Sequence, residues 1–494
     1  MTACSLLLTV VLCAAEPDGP ITVDARRQLF LDDYLLASMS HVRRVIEPAR
    51  KHPANPLIWP SEEWEQKVAI VYGSIIHDGG KYRMWYKSGI GVAYAESDDG
   101  IRWVKPELDF VVVDGRKTNI LFRADPTGKV EQFPYFYEPF GVHKDEREPD
   151  PARRYKLGFL SLDRNYQGPN EGRYHKGQRR GLGVAGSPDG LRWTLLESWT
   201  TEAICDGPAH WMYDPRLEKY VLYGRAIQTP PEIQAAWSKY DWYRKWHVGR
   251  AVARVESADF LNWNLTRPAS APVVLTSDTQ DPPGTEIYSM MVFPYESVYI
   301  GLVQVFLARP DASWLDVQLA VSRDGVRFTR VGDRAAFIAL GDVGEWDRFN
   351  LSLANNPPLQ VGDELRFYYG GRLYRHGPYA GPDRGVSRGG IGLATIPRDR
   401  FAALVGSFDG GEVVTRPLKL TGRRLHLNAK ADFGNVTLEV LDADGQTIAV
   451  SKPIERDSLD IPVEWQEGAL PGGDVPIRLR IKLQNARLYA LWCE

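Results

Sequence analysis

The seven residues Ser97–Trp103, SDDGIRW, return three more times along the chain. They reappear as SPDGLRW at Ser187–Trp193, SADFLNW at Ser257–Trp263 and SRDGVRF at Ser322–Phe328. A degenerate fifth copy, GIGLATIPRDRF, covers Gly390–Phe401. Each full copy follows a short alternating run: GVAYAE at Gly91–Glu96, GLGVAG at Gly181–Gly186, RAVARVE at Arg250–Glu256 and VQLAV at Val317–Val321. Alternation of this kind reads as strand. The Asp-Gly pairs that follow are turn chemistry, because glycine adopts positive φ at no steric cost. Upstream of the copies stand further strand pairs, among them KYRMWYKSG (Lys81–Gly89), KYVLYGRA (Lys219–Ala226) and LRFYYGGR (Leu365–Arg372). Each unit reads strand, turn, strand, loop, strand, Asp-Gly turn, strand. Five such units predict a five-bladed β-propeller, with the closing aromatic of each turn packed between neighbouring blades.

The pattern changes after Leu418. RRLHLNAKA, NVTLEVLDADGQTIAV, VPIRLRIKL and ARLYALWC are short alternating strands that predict a small β-sandwich. The expected organisation is a signal segment over 1–15, an N-terminal extension over 16–50, the propeller over 51–418 and the sandwich over 419–494. One stretch breaks the β pattern. Thr229–Trp246, TPPEIQAAWSKYDWYRKW, reads as a helical insertion, with Thr229 capping and Glu232 completing a capping box.

Composition narrows the function classes. The chain has 494 residues and a net charge of −3 from 60 basic and 63 acidic side chains, a balance that excludes a basic nucleic-acid-binding surface. Its 15 Trp, 23 Tyr and 17 Phe suit a β protein with a broad aromatic surface. The apolar run Ser5–Ala15 is too short to span a bilayer and ends in small residues, as a signal segment cleaved after Ala15 would. That predicts an exported protein, periplasmic or extracellular, free of the membrane after cleavage. Cleavage would leave Cys205 and Cys493, and nothing in their positions calls for a disulfide. No CxxC, HExxH, Walker A or GxSxG motif occurs, and no Asp-rich loop asks for calcium, so neither metal nor cofactor is expected.

The repeated turn resembles the Asp-box of sialidases, which is a structural element. The five units followed by a sandwich resemble the five-bladed-propeller glycoside hydrolases of families 32 and 43. RRQLFLDDYLLA at Arg26–Ala37, together with AICDGPAHWMYDPRLEKYVLYGR at Ala203–Arg225, resembles exported, planctomycete-type family-32-like glycosyl hydrolases. The resemblance implies cleavage of glycosidic bonds in an oligo- or polysaccharide. The family-32 nucleophile motif is missing from the first unit, which reads VAIVYGSIIHD. WMYDP at Trp211–Pro215 falls in the third unit, as a hairpin turn, and RADP at Arg123–Pro126 falls between units.

Candidate site residues therefore come from position. Propellers bind ligands where their innermost strands converge, and glycoside cleavage needs two carboxyl groups across one bond. Asp206 and Glu286 are the expected pair: Glu286 as general acid, with Ile287 and Tyr288 raising its pKa, and Asp206 as base or nucleophile. Glu138 is a third candidate that orients the sugar or tunes the acid. His210, Arg225 and Arg348 are expected to bind hydroxyl or carboxylate groups, and Trp59, Tyr137 and Tyr288 to stack on a pyranose. The competing reading of each is a buried group serving the fold. At the level of the whole protein the alternatives are a non-catalytic carbohydrate-binding propeller and a structural protein-interaction propeller.

Overall fold

The computed structural model describes residues 19–494 apart from 131, 170–176, 204–205, 268–269, 377–387 and 474, so the expected signal segment and Cys205 lie outside the described residues. The chain is all-β: the described helices are two short α-helices and two 3₁₀ turns among a long series of strands. The described residues divide into two compact units, Ile46–Phe401 and the two chain ends, residues 19–45 with Ala402–Glu494.

The larger unit is built from antiparallel meanders. The first comprises Ala69–Asp78, Lys81–Ser88, Gly91–Ser97 and Ile120–Arg123. The second comprises Phe136–Lys144, Tyr155–Asp163, Arg179–Ser187 and Thr194–Thr201. The third comprises His210–Asp214, Lys219–Ile227, Arg250–Ser257 and Val273–Leu275. Thr285–Tyr295, Val298–Leu307 and Trp314–Ser322 form a fourth, with the short Thr329–Arg330 at its edge. A fifth is Asn350–Leu353, Glu364–Arg372 and Gly389–Pro397, bridged to the fourth through Leu315 and Asn350. Its outer strand is Arg50–Lys51, from the other end of the unit, paired on Ala394 and Thr395.

Hydrogen bonds join these meanders in cyclic order. The Val142 N–H donates to Ser74 Oγ at 3.0 Å and the Trp211 indole to the Gly141 carbonyl at 3.2 Å. Arg225 donates to the Tyr288 carbonyl at 3.0 Å, and the Gln304 amide donates to the Leu351 carbonyl. The Asn355 N–H returns to the Gly73 carbonyl at 2.7 Å, closing the ring.

The repeated turn is one construction made four times. In the first, Asp99 Oδ1 accepts the Ile101 and Arg102 N–H groups, both at 2.8 Å, and the Gly100 N–H donates to Ser97 Oγ at 2.9 Å. Asp189, Asp259 and Asp324 repeat the pair of backbone bonds. Gly100, Gly190 and Gly325 have φ of +75°, +77° and +71°. In the third turn Phe260 takes the same left-handed backbone, φ +69°. A side chain there costs roughly 1–2 kcal/mol. Phe260 is buried with its ring 4.3 Å from that of Trp211, and this packing offsets the strain. Each glycine turn also latches onto the preceding meander through its carbonyl. Trp85 Nε1 donates to Gly190 at 2.7 Å, Tyr223 Oη to Gly325 at 2.7 Å and Tyr368 Oη to Gly100 at 2.9 Å. Trp193, Trp263 and Phe328 are buried at their turns, whereas Trp103 is half-buried against Tyr368.

The expected insertion is two helices, Pro231–Trp237 and Asp241–Trp246, broken at Ser238–Tyr240. Thr229 does not cap them. Pro230 occupies the cap position without a side-chain bond, and Thr229 Oγ1 lies 3.1 Å from His247 Nε2. Ile233, Trp237 and Tyr243 bury together, as their spacing suggests.

The smaller unit is a two-sheet sandwich drawing on both chain ends. One sheet runs Asp457–Pro462, Leu425–Lys430, Ala486–Cys493, Ala402–Gly406 and Val42–Ile46. The other runs Leu36–Ser40, Gly411–Thr415, Arg478–Gln484, Asn435–Leu441, Thr447–Ser451 and Trp465–Gly468. Leu404, Leu427 and Leu491 of the first share one core with Val413, Leu438 and Ile481 of the second. Among the described residues of the expected extension, Leu36–Ser40 and Val42–Ile46 are sandwich strands, and Arg50 with Lys51 forms the outer strand of the fifth meander. The unit boundary falls at Phe401, not Leu418.

Candidate functional site

Antiparallel pairing brings the start of each first strand, the end of each second strand and the start of each third strand to one end of the ring. Ala69 stands opposite Ser88, and Thr285 opposite Leu307. The Asp-Gly turns lie at the other end. Polar side chains from all five meanders collect at the first end: Tyr72 and Lys87, Glu138, Asp206 and Arg225, Glu286 and Tyr288, and Arg372 with Tyr374.

Asp206 is held from two meanders. Arg180 donates to Oδ1, and Arg225 Nη1 donates to Oδ2 at 2.7 Å. The carboxylate remains 21% exposed, while Arg225 is 1% exposed. Arg225 also donates to the carbonyls of Gly207, at 2.8 Å, and Tyr288. It is an anchor between meanders with no surface to offer a sugar, contrary to the expected substrate contact.

Glu138 is 8% exposed and accepts from Lys87 Nζ at 2.5 Å through Oε2. Its Oε1 carries no hydrogen bond among the described residues and faces Gly207. A Cβ at Gly207 would come within 2.2 Å of it, so a residue without a side chain is needed beside Asp206. Glu138 and the Asp206–Gly207 turn are therefore immediate neighbours.

Glu286 departs from its expected role. Its side chain is fully buried. Oε1 accepts the Val248 and Gly249 N–H groups at 2.7 and 3.1 Å, and Oε2 accepts Arg250. His247 Nδ1 sits 3.2 Å from Oε1 without an aligned hydrogen bond. Burial pushes this carboxyl up, but His247, Arg250 and the Val248 N–H outweigh it and hold it down to about 2. A general acid needs the opposite shift. Glu286 instead ties the third meander to the fourth.

The aromatic and basic residues divide in the same way. Tyr137 is half-buried, with Lys87 Nζ 4.8 Å and the Arg164 guanidinium 5.3 Å from its ring centre. Tyr288 is buried among Arg225 at 4.1 Å, Arg250 at 5.6 Å and His376 at 5.0 Å, which leaves no open ring face. His210 is also buried, one level deeper in the ring, opposite Tyr223. Burial pushes its imidazole down to about 3, so it is a neutral core residue. Trp59 lies edge-on to Trp346 at 6.4 Å, against Gly390. Arg348 rests on Phe349 at 5.0 Å, and the neighbouring Asp347 is buried against Lys51 and Tyr369.

Sequence reading missed Lys87, Arg180, Arg250 and Arg372. The signal was present. A basic residue ends the second strand in three units, at Lys87, Arg225 and Arg372, and another opens the third strand at Arg180 and Arg250. Tyr72 was missed as well. Burial, with Tyr288 and Glu138 nearby, raises its hydroxyl well above the usual value against the pull of Arg372. Among the described residues no group of three or more His, Cys, Asp or Glu is placed to hold a metal ion.

No family model matches the chain. An uncharacterized protein of Mycobacterium tuberculosis, Rv1502, is 24% identical over 176 residues, covering 31% of this chain. The chain spans 46% of that relative's length. Solved structures similar to it include glycoside hydrolases. A glycosyl hydrolase from Bacteroides ovatus is 15% identical over 72% of this chain and 95% of its own, with a TM-score of 0.45. A family 43 arabinoxylan arabinofuranohydrolase from Bacillus subtilis, in complex with cellotetraose, is 12% identical over 90% of this chain and 99% of its own, at 0.38. An N-acetylgalactosamine deacetylase from F. plautii, in complex with blood group B trisaccharide, is 14% identical over 77% and 96%, at 0.41.

Proposed function

We propose that the chain is a glycoside hydrolase-like protein, with residues 46–401 a five-bladed propeller whose site is the polar cluster at the strand-start end. The observation that carries this reading is the adjacency of two carboxylates from different meanders, the buried Glu138 and the partly exposed Asp206, beside the half-buried Tyr72 and Tyr137. Two carboxyl groups facing one glycosidic bond are what hydrolysis requires. Glu138 has a single cation partner and one oxygen without a hydrogen bond among the described residues, so it suits the role that must gain and lose a proton. Asp206, fixed between two guanidiniums, suits the nucleophile or base that stays ionised. Glu286 and Arg225 position Asp206 and Tyr288 and take no part in bond making. Release of product from a glycan panel, lost in both Glu138→Gln and Asp206→Asn, supports this assignment. Full turnover in either variant overturns it. The reading includes export with cleavage after Ala15, which sequencing of the mature N-terminus checks.

A second reading is favoured by one observation: all three carboxylates of the cluster are ion-paired. A non-catalytic carbohydrate-binding propeller would look the same. Saturable glycan binding without product release selects it.

A further inference from the structure

The charges of the cluster do not balance. Among the described residues it holds three carboxylates: Glu138, Asp206 and Glu286. Lys87 takes the first, Arg180 and Arg225 take the second, and Arg250 takes the third. Asp206 alone is met by two guanidiniums. Arg372 is a fifth cation, and no carboxylate among the described residues lies within ion-pair distance of it. Its one side-chain hydrogen bond is donated to Tyr374 Oη at 2.7 Å. The Tyr72 ring centre lies 5.9 Å from its guanidinium carbon. Burial works against its charge, while Tyr374, Tyr72 and Tyr288 favour it.

A half-buried guanidinium ringed by phenols is unusual, because removing a charge from water is costly unless a counter-charge or hydrogen bonds replace the lost hydration. The protein supplies the hydroxyl of Tyr374 and, among the described residues, no other hydrogen-bond partner, so the remaining donors of a planar fork are left to solvent or to a ligand. That fork matches a carboxylate in shape and charge. Tyr72 links Arg372 to the cleavage site, since Lys87 Nζ lies 5.7 Å from the same ring while it bonds Glu138.

We infer that this site takes a sugar bearing a carboxylate, a uronic acid residue, with Arg372 as the group that pairs with it. The inference rests on reading the cluster as a sugar site, and it names the class of sugar. A carboxylate on Arg372 would remove one unit of the surplus positive charge and replace lost hydration with a charge-assisted pair. A neutral sugar of the same shape would do neither. Discrimination between the two is the expected property of a site built to pair a polar group.

The test needs no mutation at first. Binding of di- and trigalacturonate to the full chain is measured by calorimetry beside the same oligosaccharides after reduction of each carboxyl to a hydroxymethyl group. The expected result is at least tenfold tighter binding of the acidic form, declining as salt rises from 0.05 to 0.5 M. Equal affinity for the two forms, or binding of neither, overturns the proposal. In Arg372→Gln the acidic ligand should bind no more tightly than the reduced ligand binds the unaltered protein. Arg372→Lys, which keeps the charge and loses the fork, should retain part of the preference. A preference that survives intact in Arg372→Gln, in a variant whose thermal melt matches the parent, also overturns it. Product release is scored in the same samples. Tight acidic binding without cleavage removes the hydrolase reading and leaves this one standing. Cleavage of neutral glycans with no acidic preference does the reverse.

Discussion

The two ends of the ring use the same residue types for opposite purposes. At the turn end, Asp99, Asp189, Asp259 and Asp324 each accept two backbone N–H groups from residues two and three positions ahead. Asp324 illustrates the effect: burial raises it, yet the N–H groups of Arg327 and Val326 bring it down to about 2. At the strand-start end, Glu138, Asp206 and Glu286 are held chiefly by side-chain cations that arrive from distant sequence. A carboxylate tied to its own turn shapes the backbone and is closed to chemistry. One tied to a lysine or arginine far along the chain is, on the proposed reading, able to exchange that partner for a substrate. Glu286 is the instructive exception. It sits at the strand-start end but takes two backbone N–H groups, as the turn aspartates do, and unlike those partly exposed groups it is fully buried.

The comparison can be broken in four ways, beginning with the largest effect. Glu138→Gln should lower turnover about 10²–10⁴-fold, the range for a lost proton-transfer group, with a near-parental melting temperature. Loss of fold instead would place Glu138 with the structural carboxylates. Glu286→Gln should cost about 3–5 kcal/mol in denaturant unfolding, because it strands Arg250 in a buried pair. That cost should depend on pH in a defined direction. The carboxyl of Glu286 is depressed from an ordinary 4.5 to about 2, so its ionised form contributes fully above 4.5. The contribution is lost as pH falls toward 2, and the gap between parent and variant should narrow over that window. A gap independent of pH would mean that the charge is not what stabilises.

Trp193→Ala should cost about 3 kcal/mol, the low end for such a truncation, since Trp193 packs at the margin of its cluster. A loss under about 1 kcal/mol would make the turn aromatic mere surface cover. Asp324→Ala should cost about 1 kcal/mol, as removal of a helix N-cap does by the same loss of a backbone acceptor. Binding at the other end of the ring should be untouched, and a change in glycan affinity would mean that the two ends are not independent.

What could be read without coordinates follows from distance along the chain. The turns, the alternating strands and the buried Ile233, Trp237 and Tyr243 are set by neighbours a few residues away, so a short window contains their cause. The all-β class follows from the same local patterns. The sandwich strands after Leu418 were legible for this reason too, whereas Leu36–Ser40 and Val42–Ile46 were not. Their partners, Gly411–Thr415 and Ala402–Gly406, lie more than 300 residues on. Counting strands put Asp206, Glu138 and Glu286 beside the starts of the first strands of their units. Which of them remains available to a substrate was decided by Lys87, Arg180, Arg225, Val248 and Arg250, across separations of 19 to 51 residues. Local sequence determines backbone conformation through sterics and short hydrogen bonds. The availability of a buried charge depends on which counter-charges the fold brings to it, and only the packed meanders settle that.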